Sequence, residues 1–271
     1  VTVTNVDGTT FVSGTAVAVA ENTAAVTTVS AVSDEGSIIY SLVAGGDSAL
    51  FDINATTGQL SFKAAPDFEV PTDAGADNVY NVTVQANDGT TAVDQPMTVT
   101  VTPVSEFAPG ITSNGSGTTA LVTVTENSTA VTTVTASDAD AGETLTYSIV
   151  GGNDAARFTI NAGTGALSFV AAPDRENPSD SGANNVYDVV VQVSDGTRTD
   201  TQAIAVTVGD ANDNAPVITS NSSGAISVEE NSTAVTTVTA TDADLATTYT
   251  YSIVGVADAG KFAINTSTGA L

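Results

Sequence analysis

Histidine, cysteine and tryptophan are absent from this 271-residue chain, methionine occurs once, and only five basic side chains stand against 31 acidic ones. Each absence removes a class of chemistry. Without histidine the usual general base is gone. Without cysteine there is no thiolate nucleophile, disulfide or iron–sulfur ligation, and no zinc site of nitrogen and sulfur. Lys63, Arg157, Arg175, Arg198 and Lys261 are too few and too scattered to displace counterions from phosphates, which excludes nucleic acid and anionic membrane surfaces as partners. No apolar run approaches the ~18 residues of a membrane span, so no direct membrane insertion is expected of this segment. The opening Val1-Thr2-Val3-Thr4 lacks the charged and then apolar pattern of a secretory signal, and the chain reads as an internal segment of something longer. Missing cysteine does not place it in the cytosol, because long extracellular repeat proteins of bacteria dispense with disulfides.

What is present is a globular composition carrying a net charge of −26: 41% of residues are hydrophobic and only 13% charged, unlike an acidic disordered tail. The chemistry left to such a chain is that of oxygen. The length allows roughly two or three domains, and internal repetition marks them. Glu-Asn recurs at Glu21-Asn22, Glu126-Asn127 and Glu230-Asn231, each time followed by a Thr-Ala-Val-Thr-Thr-Val block or a close variant. Tyr40, Tyr147 and Tyr251 each open a Tyr-Ser-(Ile/Leu)-Val run, and Phe-x-Ile-Asn follows at Phe51, Phe158 and Phe262, with Thr-Gly-(Gln/Ala)-Leu after it. A period near 100 residues is one independently folding domain per repeat, too long for a solenoid turn. The boundaries expected are 1–7 for the tail of a preceding repeat or linker, 8–107 and 108–214 for two repeats, and 215–271 for the first half of a third.

Within a repeat the apolar period is two. Tyr187, Val189, Val191 and Val193 alternate with Asp188, Val190 and Gln192, and Ile204, Val206 and Val208 continue the pattern. Valine and threonine, which fit a pleated half-buried surface, dominate, and no stretch carries a helical stripe. Asp88-Gly89 and Asp195-Gly196 sit between alternating runs as tight hairpin turns. Seven or so short strands per repeat predict an all-β fold of tandem Greek-key β-sandwiches with immunoglobulin-like architecture.

Any single carboxylate could simply coat a soluble surface. Their joint placement argues for more. Glu126, Asp174-Arg175-Glu176, Asp210-Ala211-Asn212-Asp213-Asn214-Ala215-Pro216 and Asp242-Ala243-Asp244 are spaced by whole strands, which in a sandwich return to one pole. Hard divalent cations take six to eight oxygen ligands at ~2.4 Å, the donor list that these groups offer.

With these motifs in domain order, the sequence resembles tandem cadherin repeats in the form found in large bacterial surface proteins. The resemblance covers essentially the whole chain and rests above all on the linker from Asp210 to Pro216. It implies seven-stranded sandwiches joined end to end, with calcium ions at each junction. At the second junction it carries over Glu126, Asp174, Glu176, Asp210, Asn212, Asp213, Asn214, Asp242 and Asp244 as ligands. At the first it carries over Glu21, Asp67, Glu69, Asp138, Asp140 and Asp195. The first linker reads Pro103-Val104-Ser105-Glu106-Phe107-Ala108-Pro109, so only Glu106 still offers a carboxylate there, and fewer or weaker ions are expected. In the first repeat Ser33-Asp34-Glu35 stands where Asp-x-Asp is usual, and Asn5-Val6-Asp7 is all that resembles a preceding linker.

Every acidic cluster repeats with the domain period, whereas an active site normally occurs once, so no enzyme is expected. The leading expectation is a calcium-binding structural and adhesive segment of an extracellular, cell-surface protein. Two other readings stay open: a carbohydrate-binding module with a surface glycan as partner, and a self-associating cell–cell adhesion or filament subunit.

Overall fold

The computed structural model describes residues 8–34, 36–221, 224–245, 248–255 and 257–271. The expected tail 1–7, with Asn5-Val6-Asp7, and Glu35 lie outside the described residues. The chain divides into two compact units: one runs to Pro109 and takes in Asp138–Thr144, the other holds Gly110–Ser137 and Leu145–Leu271.

The first unit carries β1 (Thr10–Phe11), β2 (Ala16–Ala20), β3 (Ala25–Thr28), β4 (Ala31–Val32), β5 (Ile39–Val43), β6 (Phe51–Ile53), β7 (Gln59–Phe62), β8 (Val79–Asn87) and β9 (Ala92–Thr102). They form a four-stranded sheet in the order β2-β9-β8-β5 and a three-stranded sheet β3-β7-β6, with β1 paired to β4. Taking β1 with β2, and β3 with β4, as interrupted single strands gives the seven strands expected. β2 runs parallel to β9, and the other pairs are antiparallel. The facing follows from period two: on β8, Tyr80, Val82, Val84 and Ala86 are buried while Asn81 is exposed and Thr83 and Gln85 are half-buried. Phe51, Phe62 and Tyr80 meet at the centre, the two phenylalanine rings 4.4 Å apart and the tyrosine edge-on at 5.0 Å from Phe62.

The second unit repeats this plan with β10 (Gly110–Ile111), β11 (Thr119–Thr125), β12 (Ala130–Thr133), β13 (Ala136–Ser137), β14 (Thr146–Gly151), β15 (Phe158–Ile160), β16 (Ala166–Phe169), β17 (Val186–Ser194) and β18 (Thr199–Gly209). Its sheets are β11-β18-β17-β14 and β12-β16-β15. The stripe read from the sequence faces the core: Tyr187, Val189, Val191, Val193, Ile204, Val206 and Val208 are all buried. From residue 215 onward the strand pairing among the described residues is limited to β19 (Val217–Ile218) with β20 (Ala240–Thr241), and a bridge between Thr237 and Ala270.

Helical structure among the described residues is confined to single 3-10 turns at Ser48–Leu50, Ala155–Arg157 and Ala259–Lys261, and no helix is long and apolar enough to cross a membrane. The repeated Thr-Gly has a steric reason. Gly58, Gly165 and Gly269 sit at φ near +70°, where a Cβ would collide with the carbonyl of Val29, Val134 or Val238. The Asp-Gly turns are wider than expected. Four residues separate β8 from β9 and β17 from β18, and the positive φ falls on Gly89 and Gly196 alone, because the aspartate carboxylate, not a tight two-residue turn, closes the loop.

Candidate metal centre

The glutamates that close β2 and β11 are the anchors. Glu21 and Glu126 are 1% and 4% exposed, so each carboxylate must be satisfied inside the protein. Glu21 Oε2 accepts the Phe68 N–H at 2.8 Å and Oε1 the Val104 N–H at 2.6 Å. Glu126 does the same, with Arg175 and Ala211 N–H both at 2.7 Å. One buried side chain thus ties the acidic loop to the linker in each unit. Asp67 and Asp174 turn their own loops by accepting the N–H groups of Val70 and Asn177, each at 3.0 Å.

Three groups of carboxylates result, each with oxygens within 4.8 Å of one another: Glu21 with Asp67 and Glu69; Glu126 with Asp174 and Glu176; and Glu176 with Asp210 and Asp244. Two oxygens on one calcium ion lie at most about 5 Å apart, so each group fits around a single ion. Glu176 belongs to two groups, which makes the second unit's site two adjacent positions sharing a ligand. At an effective dielectric of about 20, two charges at this spacing repel by on the order of 3 kcal/mol. The strain shows in the titration. Burial pushes the Glu69 carboxyl up, the Ala141 N–H partly offsets this, and Glu21 and Asp140 push it further. Burial likewise raises Glu176, with Glu126, Asp210 and Asp244 adding to it.

Unpartnered oxygens point the same way. Glu69 Oε2, Asp138 Oδ2, Asp140 Oδ1, Glu176 Oε1 and Asp195 Oδ2 are buried without a hydrogen-bond donor. A shielded carboxylate oxygen lacking a donor calls for a cation. The donor set is all oxygen, irregular and anionic, which suits calcium better than zinc, which prefers nitrogen and sulfur, or magnesium, which needs a near-ideal octahedron. The residues present fit that ion.

The remaining expected ligands stand outside the three-carboxylate groups. Glu106 and Asp213 each accept an asparagine side-chain N–H at 2.6 Å, from Asn22 and Asn127 respectively. Asp138 and Asp242 accept the N–H groups of Asp140 and Asp244, and so shape their loops. Asn214 donates its side-chain amide to both Asp213 and Asp244 at 2.8 Å. Asn212 is exposed. Asp210, which belongs to the third group, also takes the Leu245 N–H, with the Arg175 guanidinium 3.6 Å away. Asp195 spends Oδ1 on its turn, and the Arg198 N–H leads the contacts that hold its carboxyl below the usual range. Asp88 differs: its second oxygen is already taken by the Thr9 and Ser33 hydroxyls.

Compared with known proteins, residues 120–209 match the Cadherin domain family. The second repeat is a cadherin repeat. Over 219 residues the chain is 36% identical to mouse "Cadherin EGF LAG seven-pass G-type receptor 2", covering 78% of this chain and 7% of that protein. The chain therefore spans a small fraction of its curated relative. The crystal structure of mouse Cadherin-23 EC22-24 shares the fold with a TM-score of 0.60 at 23% identity, over 97% of this chain and 87% of that one. The Protocadherin GammaB4 extracellular domain gives 0.59 at 24%, over 98% and 45%.

Both repeats also use residues that the motifs did not single out. Asp47 and Asp154, both buried, each accept two backbone N–H groups, from Ala74 and Asn81 and from Ser181 and Asp188. Asp73 and Asp180 do likewise within the loop that follows the acidic motif. The signal was available: Asp73-Ala-Gly-Ala-Asp-Asn-Val-Tyr80 recurs as Asp180-Ser-Gly-Ala-Asn-Asn-Val-Tyr187. In place of disulfides, buried aspartates pin the long loops that carry the candidate ligands.

Proposed function

We propose that these repeats bind calcium outside the cell and serve as a structural and adhesive segment of a surface protein, the ions stiffening successive linkers of a stalk. The observation that carries this reading is the pair of carboxylate groups sharing Glu176, together with its unpartnered buried oxygen. Calcium would neutralise converging charges and fix the linker from Asp210 to Pro216 against the loops ending in Glu176 and Asp244. Extracellular modules bind calcium at ~0.1 to 1 mM, so such sites fill outside a cell and empty within it. A site at a hundred times its dissociation constant adds ~2.7 kcal/mol of stability. The resemblance to an extracellular domain of a protocadherin supports the location. The cysteine-free composition supports a bacterial carrier, whereas the relative named above is a mouse protein. The test is calorimetric titration with calcium, alongside hydrogen exchange across residues 210–216. Sub-millimolar binding with slowed exchange is the expected result; no binding, or binding that leaves the linker unprotected, would overturn the reading.

A further inference from the structure

The middle residue of each acidic motif is held from two sides. Phe68 and Arg175 give their N–H groups to the buried glutamates Glu21 and Glu126. Their carbonyls are held by Asn78 and Asn185, whose side-chain amides donate to Phe68 O and Arg175 O at 2.9 Å in both repeats. Phenylalanine and arginine share no side-chain chemistry, so what is gripped is the backbone. The carboxylates on either side, Asp67 and Glu69 or Asp174 and Glu176, go where that grip sends them.

Each asparagine is itself fixed at both of its backbone groups. The N–H of Asn78 goes to Asp73 and that of Asn185 to Asp180, both at 3.0 Å. Their carbonyls accept the N–H groups of Val101 and Val208 at 2.9 Å, on the strands β9 and β18 that lead into the two linkers. One side chain, reaching back ten residues, thus ties the acidic motif to the strand that delivers the linker ligands.

A simpler account is that both positions need the left-handed backbone, φ 62° and 63°, which asparagine tolerates. Glycine would serve that need better. Both asparagines also keep Oδ1 buried without a donor, which costs stability and which a glycine would avoid. In both repeats the amide stays where stability alone would discard it.

We infer that Asn78 and Asn185 are positioning residues of the calcium sites: through the carbonyl of the motif's middle residue they set where its two carboxylates converge. The purpose of this grip rests on the calcium reading but its geometry does not, so the test has a calcium-free arm. In chelator, Asn185→Gly on the full chain speeds hydrogen exchange across residues 174–177 about tenfold, with an unchanged circular dichroism spectrum. In calcium titrations the same variant weakens binding at the second repeat about tenfold or more, the size of an outer-shell loss. Asn78→Gly acts likewise on residues 67–70 and on the first repeat's site. Asn114→Gly, the same replacement at a left-handed asparagine that makes no contact with the acidic motifs, changes neither readout. A wild-type chain that binds no calcium defeats the reading above, and the chelator arm then decides whether the amide sets the loop. An acidic loop that exchanges no faster in Asn185→Gly, a loosened loop that binds calcium as before, or an equal loss in Asn114→Gly would overturn the proposal, as would a second repeat that no longer folds in chelator, which would make the asparagine purely structural.

Discussion

The two linkers hold equivalent carboxylates in unequal company. Asp140 and Asp244 occupy corresponding places, and each accepts linker backbone N–H with Oδ2, from Glu106 and Phe107 in one case and Asn214 in the other. They part at Oδ1. Asp244 receives the Asn214 side-chain amide at 2.8 Å, but Phe107 stands where Asn214 would and has nothing to donate, so Asp140 Oδ1 is left without a partner. Pro103 likewise stands where Asp210 completes a carboxylate group. The first linker therefore offers fewer oxygen donors and leaves more buried oxygens unsatisfied. Losing a carboxylate from such a cluster does not relax it, because the groups that remain are still desolvated.

If sharing through Glu176 is what sets the second linker apart, the largest effect belongs to Glu176→Ala. It should weaken two calcium equivalents by about a hundredfold or more, since even outer-shell changes cost 10- to 100-fold, while Glu69→Ala should affect one. Calorimetry of both variants decides it, and equal losses would remove the distinction between the linkers. Next in size is the reverse experiment. Phe107→Asn with Pro103→Asp should add binding capacity at the first linker, and an unchanged stoichiometry would show that the missing ligands are not what limits it. Smaller again, Asp213→Ala should cost about tenfold in affinity at the second linker with both melting and circular dichroism preserved, because Asp213 lies outside the three-carboxylate groups. Unchanged binding in that variant would strike Asp213 from the ligand set.

Much of this comparison could be read before any coordinates. Period-two stripes such as Tyr187 to Val193 marked the buried face because burial on a strand alternates strictly. Domain-period repetition separated Glu21, Asp67 and Glu69, or Glu126, Asp174 and Glu176, from ordinary surface acids. Illegible were the roles that depend on which backbone N–H meets which oxygen. Asn22 and Asn127 read as markers of a repeat, yet at φ of 59° and 63° they aim their amides at Glu106 and Asp213. Asp88 and Asp195 read alike as turn residues. Only the Thr9 and Ser33 hydroxyls, distant in sequence, fill the second oxygen of one, while the other keeps it open.

The smallest predicted effect concerns pH. In chelator, Glu69 and Glu176 have carboxyls raised by burial and by their anionic neighbours. Above the unfolded value of ~4.3 the folded chain therefore holds more protons than the unfolded one, and stability falls as pH rises through that window. Asp73 and Asp180 act oppositely. Burial would lift them, but the N–H groups of Asp77 and Asn78, and of Asn184 and Asn185, outweigh it and hold both carboxyls low. Their stabilisation is complete above ~4 and is lost as pH falls. The calcium-free chain should thus be most stable near pH 4 to 5 and decline gently toward neutrality, gently because the glutamates are only half-buried and water screens them. Calcium, which binds the ionised form, should abolish the decline, and Glu69→Gln with Glu176→Gln should flatten it without calcium. Thermal melts from about pH 4 to 8 in the two media test the sign. A calcium-free chain that gains stability toward neutral pH would mean that the clustered carboxylates find partners without a cation, and the contrast between the linkers would then be one of geometry rather than charge.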